Sequence, residues 1–230
     1  MPVLEGWSYR PADFLLFSER VYWRLFELQD AALWPLQLVA LAAGGAVLLL
    51  ALRQRRGAAP AIFLILAAAW LLVAVSFLWQ RYLPVNWAIA YAIPFFLAEA
   101  GLLLGLLLGR GGALAAPWSP RLLAAAGLLA YALLAHPLLP LVAARPLASA
   151  ELFALAPDPT AIVTLAVGAM LVEPRSAWLI MPVPALWCLA SFATLLTLGS
   201  WQGWIVLAAP VLALSVRLLP ADGPSGRVQA

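Results

Sequence analysis

An all-α bundle of about seven membrane-spanning helices, preceded by an amphipathic helix, is the fold class this sequence predicts. Hydrophobic residues make up 66% of the chain and charged residues only 10%. The runs 33–52, 60–80 and 85–108 each reach the roughly 20 apolar residues that a bilayer core requires. Proline, glycine and arginine punctuate the remaining apolar stretches at intervals that suit further helices.

The first thirty residues do not read as a secretory signal. Glu5, Arg10, Asp13, Glu19, Arg20, Arg24, Glu27 and Asp30 interrupt them, where a signal needs an unbroken apolar core. Residues 13–30 suit an amphipathic helix. Asp13, Arg20, Arg24 and Glu27 share one face, and Phe14, Phe17, Val21, Leu25 and Leu28 the other, widened by Tyr22 and Phe26. Such a helix would lie at the headgroup boundary or pack over the end of the bundle.

Helix 1 is expected over 33–52, with Pro35 in its first turn and Arg53, Arg55 and Arg56 beyond its end. Helix 2 follows over 60–80 and ends at Gln80-Arg81. Helix 3 follows over 85–108 and ends at Gly109-Arg110-Gly111-Gly112. Helix 4 begins with Ser119 as N-cap and Pro120 at the first helical position, and runs to about Val142 through His136-Pro137 and Pro140. Asp158-Pro159 reads as a second cap and first-turn pair. It opens a helix 5 of about 15 residues, short for a crossing at ~1.5 Å per residue. Helix 6 covers 177–198, with Pro182 and Pro184 in its early turns, and helix 7 covers 204–218, with Pro210 inside. The expected organisation is an amphipathic segment over 1–30, a bundle over 31–219 and a disordered tail over 220–230.

Lysine is absent, so all thirteen basic residues are arginine. Arg53, Arg55, Arg56, Arg110, Arg121, Arg175, Arg217 and Arg227 follow helices 1, 3, 5 and 7, whereas only Arg81 and Arg145 follow helices 2, 4 and 6. The positive-inside rule then places the C-terminus in the cytoplasm and the N-terminus outside. Trp34, Trp79, Trp87, Trp118, Trp178, Trp201 and Trp204 fall near helix ends, where interfacial tryptophans belong.

Several chemistries are excluded. A retinal Schiff base needs a lysine, and bis-histidine haem needs a second histidine beside His136. The net charge of +3 is too small and too dispersed to suggest nucleic acid. No phosphate-binding loop, HExxH or GxSxG occurs, and no cofactor motif or metal-ligand spacing stands out. Cys188 is the only cysteine, so no intrachain disulfide forms, and it reads as a small buried hydrophobe or a soft-metal ligand. No nucleophile–base pair assembles, so an enzyme is the least supported class.

Three polar residues remain as candidates to line a binding or ion path. Glu99 lies midway along helix 3 in Pro94-Phe95-Phe96-Leu97-Ala98-Glu99-Ala100-Gly101. A charged acid at that depth costs ~2.5 kcal/mol or more, so it should face the interior and be paired, or be protonated. His136 sits where Pro137 disturbs helix 4, as a titratable group or as an imidazole bonded to a freed carbonyl. Asp158 would bind a cation near a helix start, or simply cap that helix. Gly105 and Gly109 give a weak small-xxx-small spacing. Short or proline-broken helices point to transporter sites, although the repeat that normally accompanies them is missing here.

The stretch Trp7-Ser8-Tyr9-Arg10-Pro11-Ala12-Asp13-Phe14-Leu15-Leu16-Phe17-Ser18, followed by Tyr22-Trp23-Arg24-Leu25-Phe26-Glu27 and Ala32-Leu33-Trp34-Pro35, resembles the start of an uncharacterised family of bacterial integral membrane proteins. Pro157-Asp158-Pro159-Thr160 and Leu186-Trp187-Cys188 are similar to it as well. The resemblance covers nearly the whole chain and implies a multi-pass protein of the bacterial inner membrane. Some members are labelled permeases, and no site residue comes with the family. Glu99, buried midway along helix 3, motivates the expected function, a small permease-like protein that moves or binds a small solute or ion. The alternative is a membrane subunit or scaffold that meets a protein partner through its N-terminal helix. Either would have the lipid bilayer as its first partner.

Overall fold

The computed structural model describes residues 17–54, 57–109 and 112–222. The first residues of the expected amphipathic segment and all but the start of the expected tail lie outside them. Among the described residues the chain is helical, with no strand beyond one isolated bridge between Leu114 and Leu171. Ten α-helices follow in order: α1 Glu19–Leu33, α2 Leu36–Arg53, α3 Ala58–Leu72, α4 Ala92–Leu108, α5 Pro120–Ala130, α6 Leu139–Val142, α7 Pro157–Met170, α8 Pro174–Ile180, α9 Pro182–Thr197 and α10 Gln202–Arg217. Five continuous helical segments are long and apolar enough to cross a membrane: 36–53, 58–82, 87–108, 120–142 and 174–197. These are the helices of a membrane-embedded protein. The other two expected crossings are the shorter apolar helices α7 and α10.

The expected boundaries meet local corrections with clear causes. Pro35 has no N–H to continue a helical ladder, and the chain breaks there between α1 and α2. Gly57 precedes α3 at φ 85°, a left-handed conformation that costs glycine little. Ser119 caps α5 as expected, accepting from Leu122 N at 3.2 Å, with Pro120 at the first helical position. Helix 6 is two pieces, α8 and α9, interrupted at Met181 because Pro182 and Pro184 remove two donors in succession. Asp158 is not the N-cap of α7. Ala156 holds that position, since Pro157 with its fixed φ opens the helix two residues earlier.

The expectation of a short fifth helix leads to the centre of the molecule. Every residue of α7 from Pro157 to Met170 is buried, and α3, α5, α9 and α10 pack around it. Its 14 residues span about 21 Å, well short of a bilayer core. Both ends are therefore inside the protein and need partners there. At the C-terminal end, Ala115 N donates to Met170 O at 2.7 Å and Val172 N donates to Ala113 O at 2.8 Å. Arg217 donates to Leu171 O at 2.6 Å, placing a cation on the negative end of the helix.

At the other end α1 packs over the bundle. Tyr22, Trp23, Leu25, Phe26 and Gln29 are buried, so the second of the two expected placements holds. Val21 and Leu28, expected on the apolar face, are partly exposed together with Glu19, Arg20 and Arg24. Phe26 stacks on Phe77 at 4.7 Å, and Gln29 donates to Ser76 Oγ at 2.7 Å. All seven tryptophans expected at interfaces are exposed, whereas Trp23, Trp70 and Trp187 are buried.

Where α1 meets α2, burial pushes the Asp30 carboxyl up to about 6, with Gln37 acting in the opposite direction. A carboxyl raised on folding stabilises the folded form below its unfolded pKa, and that contribution is lost as pH rises through 6. Docking of α1 is thus expected to loosen between pH 4 and 6, going upward. Asp30→Asn should flatten this trend in amide hydrogen exchange of α1, corrected for intrinsic rates. An unchanged slope in the variant would assign the trend to another group.

Candidate functional site

The N-terminal end of α7 meets a packed cluster of buried polar side chains, here called the chamber. Asp158 lies in the first turn, fully buried, and its carboxylate turns away from its own backbone toward α9. Trp187 Nε1 donates to Asp158 Oδ1 and Ser191 Oγ donates to Oδ2, both at 2.7 Å. Trp187 and Ser191 stand one turn apart on α9, so one helix face supplies both donors. Thr160 prolongs the network below, accepting from Ala154 N at 2.9 Å and donating to Ala156 O at 2.8 Å. Trp70 donates to Thr164 at 2.9 Å, and Thr164 donates back to Thr160 O at 2.9 Å.

The second acid is Glu151, carried by the segment 143–156 that folds back into the bundle before α7. Its Oε2 lies 3.6 Å from His136 Nε2, and both side chains are almost fully buried. That separation leaves His136 Nε2 and Glu151 Oε1 without hydrogen-bond partners. Tyr131 Oη approaches His136 Nδ1 at 3.4 Å. Glu151 and His136 are each within electrostatic reach of Asp158. Sequence reasoning named Asp158 and His136, and the structure brings them together. It missed Glu151, which reads in the sequence as a solvated loop acid.

Arg145 closes the chamber. Its guanidinium lies 3.3 Å over the Trp23 ring of α1, and it donates to Gln202 Oε1 at 2.8 Å. Burial lowers its pKa, and Glu151 acts to raise it. From α1 above, Tyr22 reaches Ser191 and lies within electrostatic reach of Asp158, Glu151 and Tyr82. Two π-helical stretches border the chamber, Val73–Tyr82 after α3 and Tyr131–Ala135 after α5. Their wide turns carry Ser76, Tyr82 and Tyr131 to this end, a 3-10 turn over His136–Leu138 follows the second, and such departures from α-helix recur at functional sites.

In total, two buried carboxylates face one guanidinium and one imidazole. Buried charges cost free energy unless paired and hydrogen-bonded, and Glu151 is only partly satisfied. The arrangement suits a proton or a small cation. Among the described residues no group of three His, Cys, Asp or Glu side chains is placed to hold a metal ion.

A profile of a family of unknown function (DUF6064) matches residues 19–221. The chain belongs to that family. No curated protein and no solved structure matches it. The DUF6064 match begins at Glu19, the first residue of α1, and ends at Ala221, whose carbonyl accepts from Ala116 N. The DUF6064 unit therefore takes in α1 as well as the chamber it covers.

Glu99 stands apart from the chamber of this DUF6064 chain. It is fully buried in α4, neither carboxyl oxygen has a partner, and no charged neighbour acts on it. It faces the interior as expected, and of the two expected states, paired or protonated, the paired one is not met. The anticipated path lined by Glu99, His136 and Asp158 thus divides into an isolated acid and a cluster. Cys188 is buried beside Trp187, within reach of Asp158, and the Gly105–Gly109 face opens onto a cleft bordered by Glu173 and Arg175.

Proposed function

We propose that this protein is a small permease-like membrane protein whose chamber at the start of α7 binds and passes a small cation, the proton included. One observation carries this reading. A central helix shorter than a bilayer begins at a buried site where Asp158, held by Trp187 and Ser191, lies within electrostatic reach of the Glu151–His136 pair, with unsatisfied atoms on the last two. Interrupted helices that end at mid-depth polar sites are the architecture of solute and ion binding in transporters. Half-satisfied buried acids are costly, and occupancy by a proton or an ammonium-type cation supplies the missing partner.

In this reading α1 closes the outer side, through Tyr22 and through Trp23 on Arg145. The arginine distribution supports that orientation, since Arg53, Arg121, Arg175 and Arg217 lie toward the opposite end. The family resemblance supports the bacterial inner membrane as its location.

The test is flux. Proteoliposomes holding a pH-sensitive dye receive a step of methylammonium or of pH. Wild type is expected to relax about tenfold faster than Glu151→Gln, a loss of one charged partner at the site. Equal rates for wild type, Glu151→Gln and empty liposomes would reject the reading. The scaffold alternative has less room, because α1 spends its apolar face on its own bundle. A stoichiometric partner lost on reversing the exposed Arg20 and Arg24 would revive it.

A further inference from the structure

A groove runs down the outside of the bundle between α4 and α9. It holds about 340 Å³, within the range of small-molecule pockets. Its rim is formed by residues of spanning segments that the chain leaves uncovered, Tyr91, Phe95 and Leu186 among them, so it faces lipid. Polar groups gather at one end only. Asn86 and Thr194 line that end, and Tyr82 reaches both of them from inside. The other end, toward Val183, is apolar.

One side chain separates this groove from the Asp158 carboxylate. The Trp187 ring lines the groove and meets Phe96 edge-on at 5.0 Å, while its N–H points inward to Asp158 Oδ1 at 2.7 Å. Helix α9 alternates between the two compartments. Ala190 and Thr194 face the groove, and Ser191 faces Asp158. Tyr82, at the polar end of the groove, is itself within electrostatic reach of Asp158. The groove is thus the lipid-side approach to a chamber with more carboxylates than guanidinium groups.

We propose that this groove admits a membrane-dissolved amphiphile with an ammonium head and a single apolar chain. The chain lies along Phe95 and Val183, and the head lies at the Asn86–Thr194 end, drawn by the acids behind Trp187. The proposal rests on the reading of the chamber as a cation site and names a substrate class for it. Charge selects the head: a carboxylate of the same chain length would meet Asp158 and Glu151 as like charges. The groove's shape selects one chain.

The experiment uses the full protein in lipid nanodiscs and three photoreactive probes with the same diazirine-bearing alkyl chain. One carries an amine head, one a carboxylate and one a hydroxyl. The amine is expected to label the peptides around Phe95 and Val183 saturably, with about a tenfold preference over the carboxylate. Ala190→Trp, which fills the groove from an exposed position, should abolish that labelling. Glu151→Gln should reduce the preference for the amine while leaving labelling by the hydroxyl probe intact. Labelling that does not saturate, that spreads over other lipid-facing helices, or that ignores the head would overturn the proposal. Methylammonium flux in Ala190→Trp separates the two readings. Failed labelling with flux that still depends on Glu151 rejects lateral entry alone, and loss of that dependence rejects the chamber as well.

Discussion

Asp158→Ala is expected to lower the midpoint of thermal unfolding by about 6–12 °C, from a loss of about 3 kcal/mol. The carboxylate accepts two short hydrogen bonds, from Trp187 and Ser191, in a fully buried position. Truncation removes both and leaves an indole N–H and a hydroxyl without acceptors. The cost exceeds that of a surface residue because water does not reach the vacated space easily. Asp158→Asn keeps the volume and one acceptor oxygen, so its loss should be about half as large. Ser191→Ala removes one donor with its bond and should cost about 1 kcal/mol. Differential scanning calorimetry in one lipid or detergent orders the three. If Asp158→Ala unfolds within ~2 °C of wild type, the carboxylate does not hold α7 to α9.

Glu99→Leu is expected to move the midpoint the other way, up by about 2–12 °C. Both carboxyl oxygens are buried without partners, a penalty of about 1–3 kcal/mol that an apolar side chain of similar volume removes. Glu99→Gln retains unsatisfied polar atoms and should stay near wild type. Methylammonium flux is expected to be unchanged in both, since no charged group of the chamber acts on Glu99. A fall in stability for Glu99→Leu would mean that the acid finds a partner in the membrane. A loss of flux at unchanged stability would join it to the chamber after all.

Much of the fold could be read from residue order, because lipid imposes length and apolarity on each helix separately. The Ser119–Pro120 start of α5 is local chemistry, and it held. The seven tryptophans that residue order places near helix ends are exposed, again from a local criterion. Asp158 could be singled out, but as a cap. Its actual partners lie 29 and 33 residues away on α9, and no local rule reaches them. Glu151 was hidden for a different reason. Acids between helices usually face water, and only the inward fold of 143–156 reverses that. The π-helical turns that carry Tyr82 and Tyr131 are set by backbone hydrogen bonding, which hydropathy does not report.

The central position of α7 also has a consequence for how the molecule is made. A 14-residue helix with every side chain enclosed has no lipid-facing surface of its own. During synthesis it emerges before α9 and α10, two of the helices that surround it, and before Arg217, which holds its C-terminal end. Stable insertion of α7 must therefore wait until those last helices have entered the membrane. In this order α9 and α10 complete the wall around α7 after it has emerged, and chains cut short after α8 should be cleared by quality-control proteases.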